Sequence, residues 1–513
     1  MKKSLKERMT LHPIMTIMML IILTIVLSGF LSILGISSTY NKINPGVLDT
    51  TPVTLSVKSL FSLSGLKYIF TSTVRNFVSF TPLSSLIIIL IGIGVMEKSG
   101  FFKTAITLLT KKAKKNTVTF FIVLISILSS IVGDLAYVVI LPLSALIFLY
   151  GKRNPYLGII SSFAGLTCGR AVSLLITSED SSLLSLTNLA ANTVDTSVKF
   201  GRFSFILIMF IAVLLLSFII TRITEEYVAK KLPKYDFEQT TLDDDIKIGR
   251  PELRGLILGI GMGILYLLVF IYNIIPGLPF SGNFLDYSQS YYIDKLFSVN
   301  SFFTNGFVFI VTMLFVILGL FYGIGARTIR NNKDLCEDLG HSLDGIGNTL
   351  VLIFFISILI NVFKYTGIGP LIVSGLASLL GGLNLSAFPA LIILFIIAAI
   401  STIVLPSSVS KWTILSPIAV PALMNAGISP AFTQIIFRFG ETMTLGLTPV
   451  FAYFVIYLAF IEKYNQNEKP VNLFKTFKYQ LPYAAATGAV LLIVLVVWML
   501  LKAPLGIGAF PGI

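Results

Sequence analysis

Five ionisable residues stand inside apolar stretches of this sequence: Asp134, Arg170, Asp180, Arg438 and Glu441. A charge at the centre of a bilayer costs about 2.5–3.5 kcal/mol on insertion scales, so each is a candidate for function. Each also has a structural alternative, an internal ion pair or a place nearer the interface. Arg438 and Glu441 are three apart, on one face of any helix that continues through them. A guanidinium fixed there can clamp a carboxylate or sulfonyl group through two hydrogen bonds, and a carboxylate beside a helix break can bind or release a proton. Ser129, Ser130, Ser178, Ser407, Ser408 and Ser410 cluster where apolar runs are interrupted. Hydroxyls and freed carbonyls there suit sodium; otherwise they cap broken helix ends. Trp412, one of two tryptophans, can stack a ligand ring or anchor at an interface. Lys411 beside it can snorkel or pair with a carboxylate.

The elements that must position these residues are membrane helices. Of 513 residues, 55% are apolar and 12% charged, against roughly 25% charged in soluble chains. The apolar residues recur in runs near the ~20 residues that span a bilayer core. The net charge of +14 sits mostly between those runs, as the orientation rule for cytoplasmic loops requires, and does not form the basic surface of a nucleic-acid binder. Two cysteines (Cys168, Cys336) and two histidines (His12, His341) argue against a disulfide scaffold or a zinc centre. Asp243, Asp244 and Asp245 read as solvated loop, so no metal beyond sodium is expected, and no organic cofactor. HExxH, GxSxG and P-loop patterns are absent, which argues against an enzyme and against direct ATP drive. Lys2, Lys3, Lys6 and Arg8 precede an apolar run too long for a signal peptide, so residues 13–34 read as an uncleaved first span with a cytoplasmic N-terminus.

Charge parity sets the remaining topology. Residues 35–79 read as an outer loop with short surface helices, and 80–96 as span two. The long interrupted run 117–151 has cations at both ends and reads as a re-entrant hairpin, with two short spans as the alternative. A third span begins at Pro155 and breaks at 177–180; the fourth is 203–221, followed by a cytoplasmic loop at 222–254. Spans five (255–275), six (304–325) and seven (347–363) follow, with an interfacial helix at 334–344 and a glycine-rich outer segment at 367–385. A second interrupted hairpin covers 388–424, span eight (430–461) breaks at Gly440 and Glu441, and span nine covers 482–501. The expectation is an all-α polytopic membrane protein of nine transmembrane helices plus two re-entrant hairpins in an inverted repeat. Its halves are 1–221 and 304–513, separated by the loop 222–254 and by span five with its outer loop, 255–303. Tyr137 followed by Pro142 in one hairpin mirrors Trp412 followed by Pro417 in the other. Such a repeat, with interrupted segments near the midplane, marks a secondary transporter; a channel would repeat subunits around a pore.

The runs SSIVGDLAYVVILPLSALIF, SSVSKWTILSPIAVPALM and FRFGETMTLGLTPVFAYF, with FTPLSSLIIILIGIGVMEKSGFF earlier, resemble the p-aminobenzoyl-glutamate transporter (AbgT) family over residues 12–483. The resemblance implies a dimeric inner-membrane protein that takes up p-aminobenzoyl-glutamate or exports sulfonamide antimetabolites on a sodium or proton gradient. It also implies site roles for Asp180, Trp412, Arg438, Glu441 and Pro449. The family carries Asp where this chain has Glu441, serine at Val409, glycine at Pro406, and small residues with an asparagine around Arg170. These departures bear on the solute, for which simple dicarboxylates or fatty acids are the alternative.

Overall fold

The computed structural model describes residues 12–43, 50–110, 113–174, 177–237, 248–298, 300–467 and 470–512. The cations at 2, 3, 6 and 8 and the acidic run 243–245 lie outside them. The first helix, α1 (Pro13–Ile33), starts with a proline in its first turn and with His12, whose Nδ1 accepts from the Ile14 N–H at 3.3 Å. Residues 35–79 depart from the expected loop with short surface helices. They form an antiparallel pair, β1 (Ser37–Ile43) and β2 (Thr50–Ser56), with Tyr40 opposite Val53, and then α2 (Leu63–Val78). The Thr, Tyr, Val and Ile content of the two strands favours pleated pairing.

After α3 (Thr81–Lys98) and α4 (Phe101–Thr110), the first interrupted run is a pair of helices. These are α5 (Lys115–Leu128) and α6 (Ala136–Tyr150), joined by a 3-10 turn at Ser129–Leu135. Gly133 carries that turn at φ 63°, a conformation most side chains avoid. Next come α7 (Pro155–Gly169), α8 (Ser178–Asn192) and α9 (Ile206–Ile223). The chain continues through α10 (Arg250–Ile274), α11 (Tyr292–Phe297), α12 (Phe302–Ala326), α13 (Asn332–His341) and α14 (Gly347–Thr366).

The glycine-rich stretch 367–385 is mostly helix, α15 (Ile368–Gly381). Gly367 turns the chain at φ 71°, and a Cβ at Gly369 would lie 2.7 Å from the Val404 carbonyl oxygen. Its glycines serve a turn and a close helix contact. The second interrupted pair is α16 (Ala387–Val404) and α17 (Ser408–Asn425). Pro406 disfavours helix at the residue before it, and Leu405 leaves at φ −139°, ψ 86°; Ser407 then caps α17 by accepting from the Ser410 N–H at 3.3 Å.

The last elements are α18 (Pro430–Thr444), α19 (Phe454–Lys463) and α20 (Leu473–Leu501). The expected break at Gly440 and Glu441 does not occur: α18 runs through both, and the interruption falls at residues 445–453. Gly440 is a packing residue, since a Cβ there would lie 2.4 Å from the Phe395 carbonyl oxygen on α16. Likewise α20 begins at Leu473 and carries Pro482 inside it.

Among the described residues, nine helical stretches are long and apolar enough to cross a membrane. The number equals the expected nine spans but the membership differs. The α5–α6 stretch and α16 qualify, whereas the third and eighth spans are split into α7/α8 and α18/α19, whose pieces are too short. In α10, apolar side chains such as Ile257 and Leu268 face outward, as in a helix against lipid. Nearly all of α7 and α18 is buried within the protein, and there the charges meet.

Candidate functional site

Arg438 projects from the buried face of α18 and is 1% exposed. Its guanidinium is 2.6 Å from Glu441 Oε1 on the same helix, 2.9 Å from Asp180 Oδ1 and 3.5 Å from Glu179 Oε2. It also donates to the Arg170 carbonyl at 3.2 Å and to Ser408 Oγ at 3.3 Å. Asp180 is held for this contact by the start of α8: its backbone N–H donates to Thr177 Oγ1 at 3.0 Å, and its Oδ2 accepts from the Thr177 N–H at 3.1 Å. That reciprocal cap fixes one carboxylate oxygen and leaves the other for Arg438.

Glu441 joins α18 to the second helix pair. Oε1 accepts from Ser408 Oγ at 2.9 Å, and Oε2 is 2.8 Å from Lys411 Nζ. Lys411 is wholly buried and donates to Thr402 Oγ1 at 2.6 Å, so of its two sequence readings it is the one that pairs. Trp412 is also wholly enclosed. It stacks on Phe437 with ring centroids 4.4 Å apart and donates through Nε1 to Thr187 Oγ1 at 2.7 Å.

The tip of the first helix pair brings in a second arginine. Arg170, at the end of α7, lies 2.7 Å from Asp134 Oδ1 and 3.2 Å from Glu179 Oε1. Glu179 therefore bridges the two arginines with one oxygen to each. The network contains four carboxylates, Asp134, Glu179, Asp180 and Glu441, and three cations, Arg170, Lys411 and Arg438. It is one positive charge short of neutrality.

A cavity of about 660 Å³ lies between this tip and helices α3 and α12, within the size range of small-molecule sites. Asp134, Arg170 and Glu179 stand on its wall with the aromatic Tyr137, Phe307 and Tyr453. Arg438 is one residue behind that wall, reached through Glu179.

The structure thus brings together Asp134, Arg170, Asp180, Arg438, Glu441 and Ser408. Pro449 lies in the turn between α18 and α19. Among the break serines, Ser407 and Ser410 pair with each other and Ser129 donates to the Ser126 carbonyl, so they act as caps. Glu179 was not singled out from sequence. The signal for it was present: Thr177 followed by Asp180 spells a helix start that turns the first-turn acids toward the break. Thr187 and Gln434, hydrogen-bonded at 2.7 Å behind Trp412, carry no signal separable from ordinary helix polarity.

Among the described residues, nine helical stretches long and apolar enough to cross a membrane, packed around a buried ion-pair network, define the class, a multi-pass membrane transport protein. Residues 7–512 match the AbgT transporter family, and the chain belongs to it. It is similar to the p-aminobenzoyl-glutamate transport protein of Escherichia coli (strain K12), 28% identical over 504 residues covering 98% of this chain and 94% of that protein. Among solved structures it is similar to the YdaH transporter of Alcanivorax borkumensis, described as having an unusual topology, at 26% identity and TM-score 0.48, covering 97% of this chain and all of that one. It is also similar to MtrF of Neisseria gonorrhoeae, assigned to a class of antimetabolite efflux pumps, at 28% identity and TM-score 0.47, covering 98% of each chain.

Proposed function

We propose that this protein is a secondary active transporter that moves p-aminobenzoyl-glutamate-like solutes, or exports sulfonamide-type antimetabolites, by coupling to a proton or sodium gradient. It works as a homodimer in the inner or plasma membrane, with its N-terminus and the 222–254 loop cytoplasmic and its two halves inverted about the midplane. The observation that carries the reading is the buried network centred on Arg438, four carboxylates against three cations. An anionic solute adds negative charge to a site that is already short of positive charge, in surroundings where an unpaired charge is costly. Its anionic end can take Arg438 only if Glu441 or Glu179 gives way and a cation enters with it, which makes cation coupling a condition of binding.

The cavity supports an aromatic solute. A ring entering the cavity meets the half-buried Phe307 on its wall, an aromatic side chain it can pack against, while Tyr137 and Tyr453 stack on each other behind it. Trp412 meets a ring only after Phe437 moves off it, so its proposed contact belongs to a later conformation in the cycle. Glu441 sits where Asp stands in the resembling family. Its extra methylene lets one carboxylate reach Arg438, Lys411 and Ser408 together.

The test is transport by purified protein in liposomes, with p-aminobenzoyl-glutamate and a sulfonamide offered in turn under imposed sodium or proton gradients. Accumulation of either against its own gradient, abolished when both ion gradients are collapsed, supports the reading. Flux that merely equilibrates, indifferent to both gradients, fits a channel. Accumulation of succinate or a fatty acid with neither aromatic compound carried overturns the solute assignment.

A further inference from the structure

We infer that the end of the protein carrying Lys231 and Lys475 holds a binding site for a phosphate-bearing anion, in a cavity of about 640 Å³ between the start of α7, the segment after α9 and the start of α20. The site shares no residue with the charge network around Arg438 and does not depend on which solute is carried.

Tyr156 is the observation that points to a ligand. It sits in the first turn of α7, is 6% exposed and stands on the cavity wall, yet its phenol oxygen is buried without a hydrogen-bond partner. A buried hydroxyl left unpaired is costly, so an acceptor arriving in the cavity gains more from it than from an exposed one. Two cations share the wall. Lys231 Nζ lies 3.7 Å from the Tyr227 ring centroid and donates to that residue's hydroxyl, and Lys475 Nζ is 5.9 Å from the Tyr479 ring centroid. Among the described residues, both ammonium groups thus meet tyrosines rather than carboxylates, and the wall itself carries no acid. Glu462, near Tyr156, is engaged by the Val471 N–H at 2.9 Å and lines another cavity.

Hydrogen bonds hold the walls in place. Asn154 Nδ2 donates to the Pro233 carbonyl at 3.0 Å, which fixes the segment after α9 to the start of α7, and Asn154 Oδ1 accepts from the Tyr156 N–H at 3.0 Å. Gln466 closes the other side: its Oε1 accepts from the Asp236 N–H at 2.8 Å and its Nε2 donates to the Asp236 carbonyl at 2.6 Å. Asn472, also on the wall, caps α20 by accepting from the Phe474 N–H at 2.8 Å, so the positive end of a 29-residue helix borders the same space. Two ammonium groups, a hydroxyl donor and a helix start suit an anion, and a phosphate supplies charge for the cations and acceptor oxygens for the hydroxyl. Tyr156 and Tyr479 stand where apolar stretches begin, beside Pro155 and Pro482. That is the level at which tyrosines meet lipid headgroups and basic pockets between helices take anionic lipids. A soluble phosphate has the same chemistry, and the experiment separates the two.

The experiment is thermal unfolding of the full-length, delipidated protein in maltoside micelles, titrated with phosphatidylglycerol and, in parallel, with phosphatidylcholine. A second arm titrates sodium phosphate against sodium chloride at constant ionic strength. Phosphatidylglycerol should raise the transition where phosphatidylcholine does not, since only binding to the folded state stabilises it; a response to inorganic phosphate assigns the site to a soluble phosphate instead. Tyr156→Phe removes one unpartnered hydroxyl. It should unfold like the native protein in plain micelles and weaken the apparent affinity for the responding anion about tenfold, the scale of a hydrogen bond to a charged group. Lys231→Gln and Lys475→Gln should each weaken it about fivefold, whereas Lys230→Gln, off the cavity wall, should leave it unchanged. If neither anion raises the native transition, or if Tyr156→Phe keeps the native response, the site is wrong and Tyr156 is a packing residue. If Lys230→Gln weakens the response as much as Lys231→Gln does, the attraction is general surface charge and the site is equally wrong.

Discussion

Replacing Glu441 with Gln keeps the shape of the side chain and removes the one charge shared by Lys411 and Arg438. Lys411 Nζ is 2.8 Å and Arg438 2.6 Å from its two oxygens, and all three side chains are at most 5% exposed. Arg438 retains Asp180 and Glu179; Lys411 loses its only close counter-charge and keeps neutral acceptors alone, the Thr402 hydroxyl and the new amide oxygen. Breaking a buried pair from one side costs about 3–5 kcal/mol, because the surviving charge stays buried without its partner. Glu441→Gln should therefore be destabilised by about that amount, whereas Glu441→Gln with Lys411→Met should recover most of it, since replacing a buried pair with uncharged groups is often near neutral. The coupling term of the double-mutant cycle isolates the pair. The assay is chemical or thermal unfolding in detergent, with and without p-aminobenzoyl-glutamate. An anion that takes over the vacated place should stabilise Glu441→Gln more than it stabilises the native protein. If Glu441→Gln unfolds like the native chain, or the double variant is as unstable as the single one, Glu441 is not the counter-charge of Lys411 and the charge argument fails at its centre.

Arg438→Ala should abolish binding of anionic solutes, and Arg438→Lys should not restore it, because one ammonium cannot span Asp180, Glu179 and Glu441 as the planar guanidinium does; equilibrium binding of labelled solute reads both. Trp412→Ala should lose about 3–5 kcal/mol of stability through the cavity it leaves against Phe437, whereas Trp412→Phe keeps the stack and loses the bond to Thr187; equal unfolding curves for the two would refute the packing role. Arg170→Asn leaves four carboxylates facing two cations and should raise the number of cations carried per solute, measured by reversal potential in liposomes; an unchanged ratio would separate Arg170 from coupling. A single cysteine at residue 240 should label only from the cytoplasmic side of sealed vesicles, and labelling from outside would overturn the proposed topology.

Much of the architecture was legible because membrane helices announce themselves through run length and the cations between runs. Both interrupted runs were found in this way, since Ser, Gly, Asp and Pro inside apolar stretches have few other uses. The misplaced break in span eight has a physical cause, in that glycine has two meanings which a sequence does not distinguish. Gly133 and Gly367 turn the chain at positive φ, but Gly369 and Gly440 sit inside helices where a neighbouring carbonyl leaves no room for a Cβ. Reading Gly440 as a breaker puts a break in α18, where the helix runs on. The strand pair β1–β2 was missed for a different reason: a short pair outside the spans has only local residue preference to reveal it.

The site was legible residue by residue but not as a network. A charge inside an apolar run identifies itself, so Asp134, Arg170, Asp180, Arg438 and Glu441 could be named without knowing which touches which. The pairing depends on helix rotation and on contacts between residues far apart in the chain, such as Arg438 with Asp180, and no spacing rule encodes these. Glu179 illustrates the consequence: it looks like one more acid at a helix start, yet it couples the arginine on the cavity wall to the arginine behind it. Only when that connection is visible can the charges be counted as a single set. The formal count then frames the proposed mechanism more tightly than any one residue does, because an anion entering a network one positive charge short of neutrality adds a charge in surroundings where an unpaired one is costly.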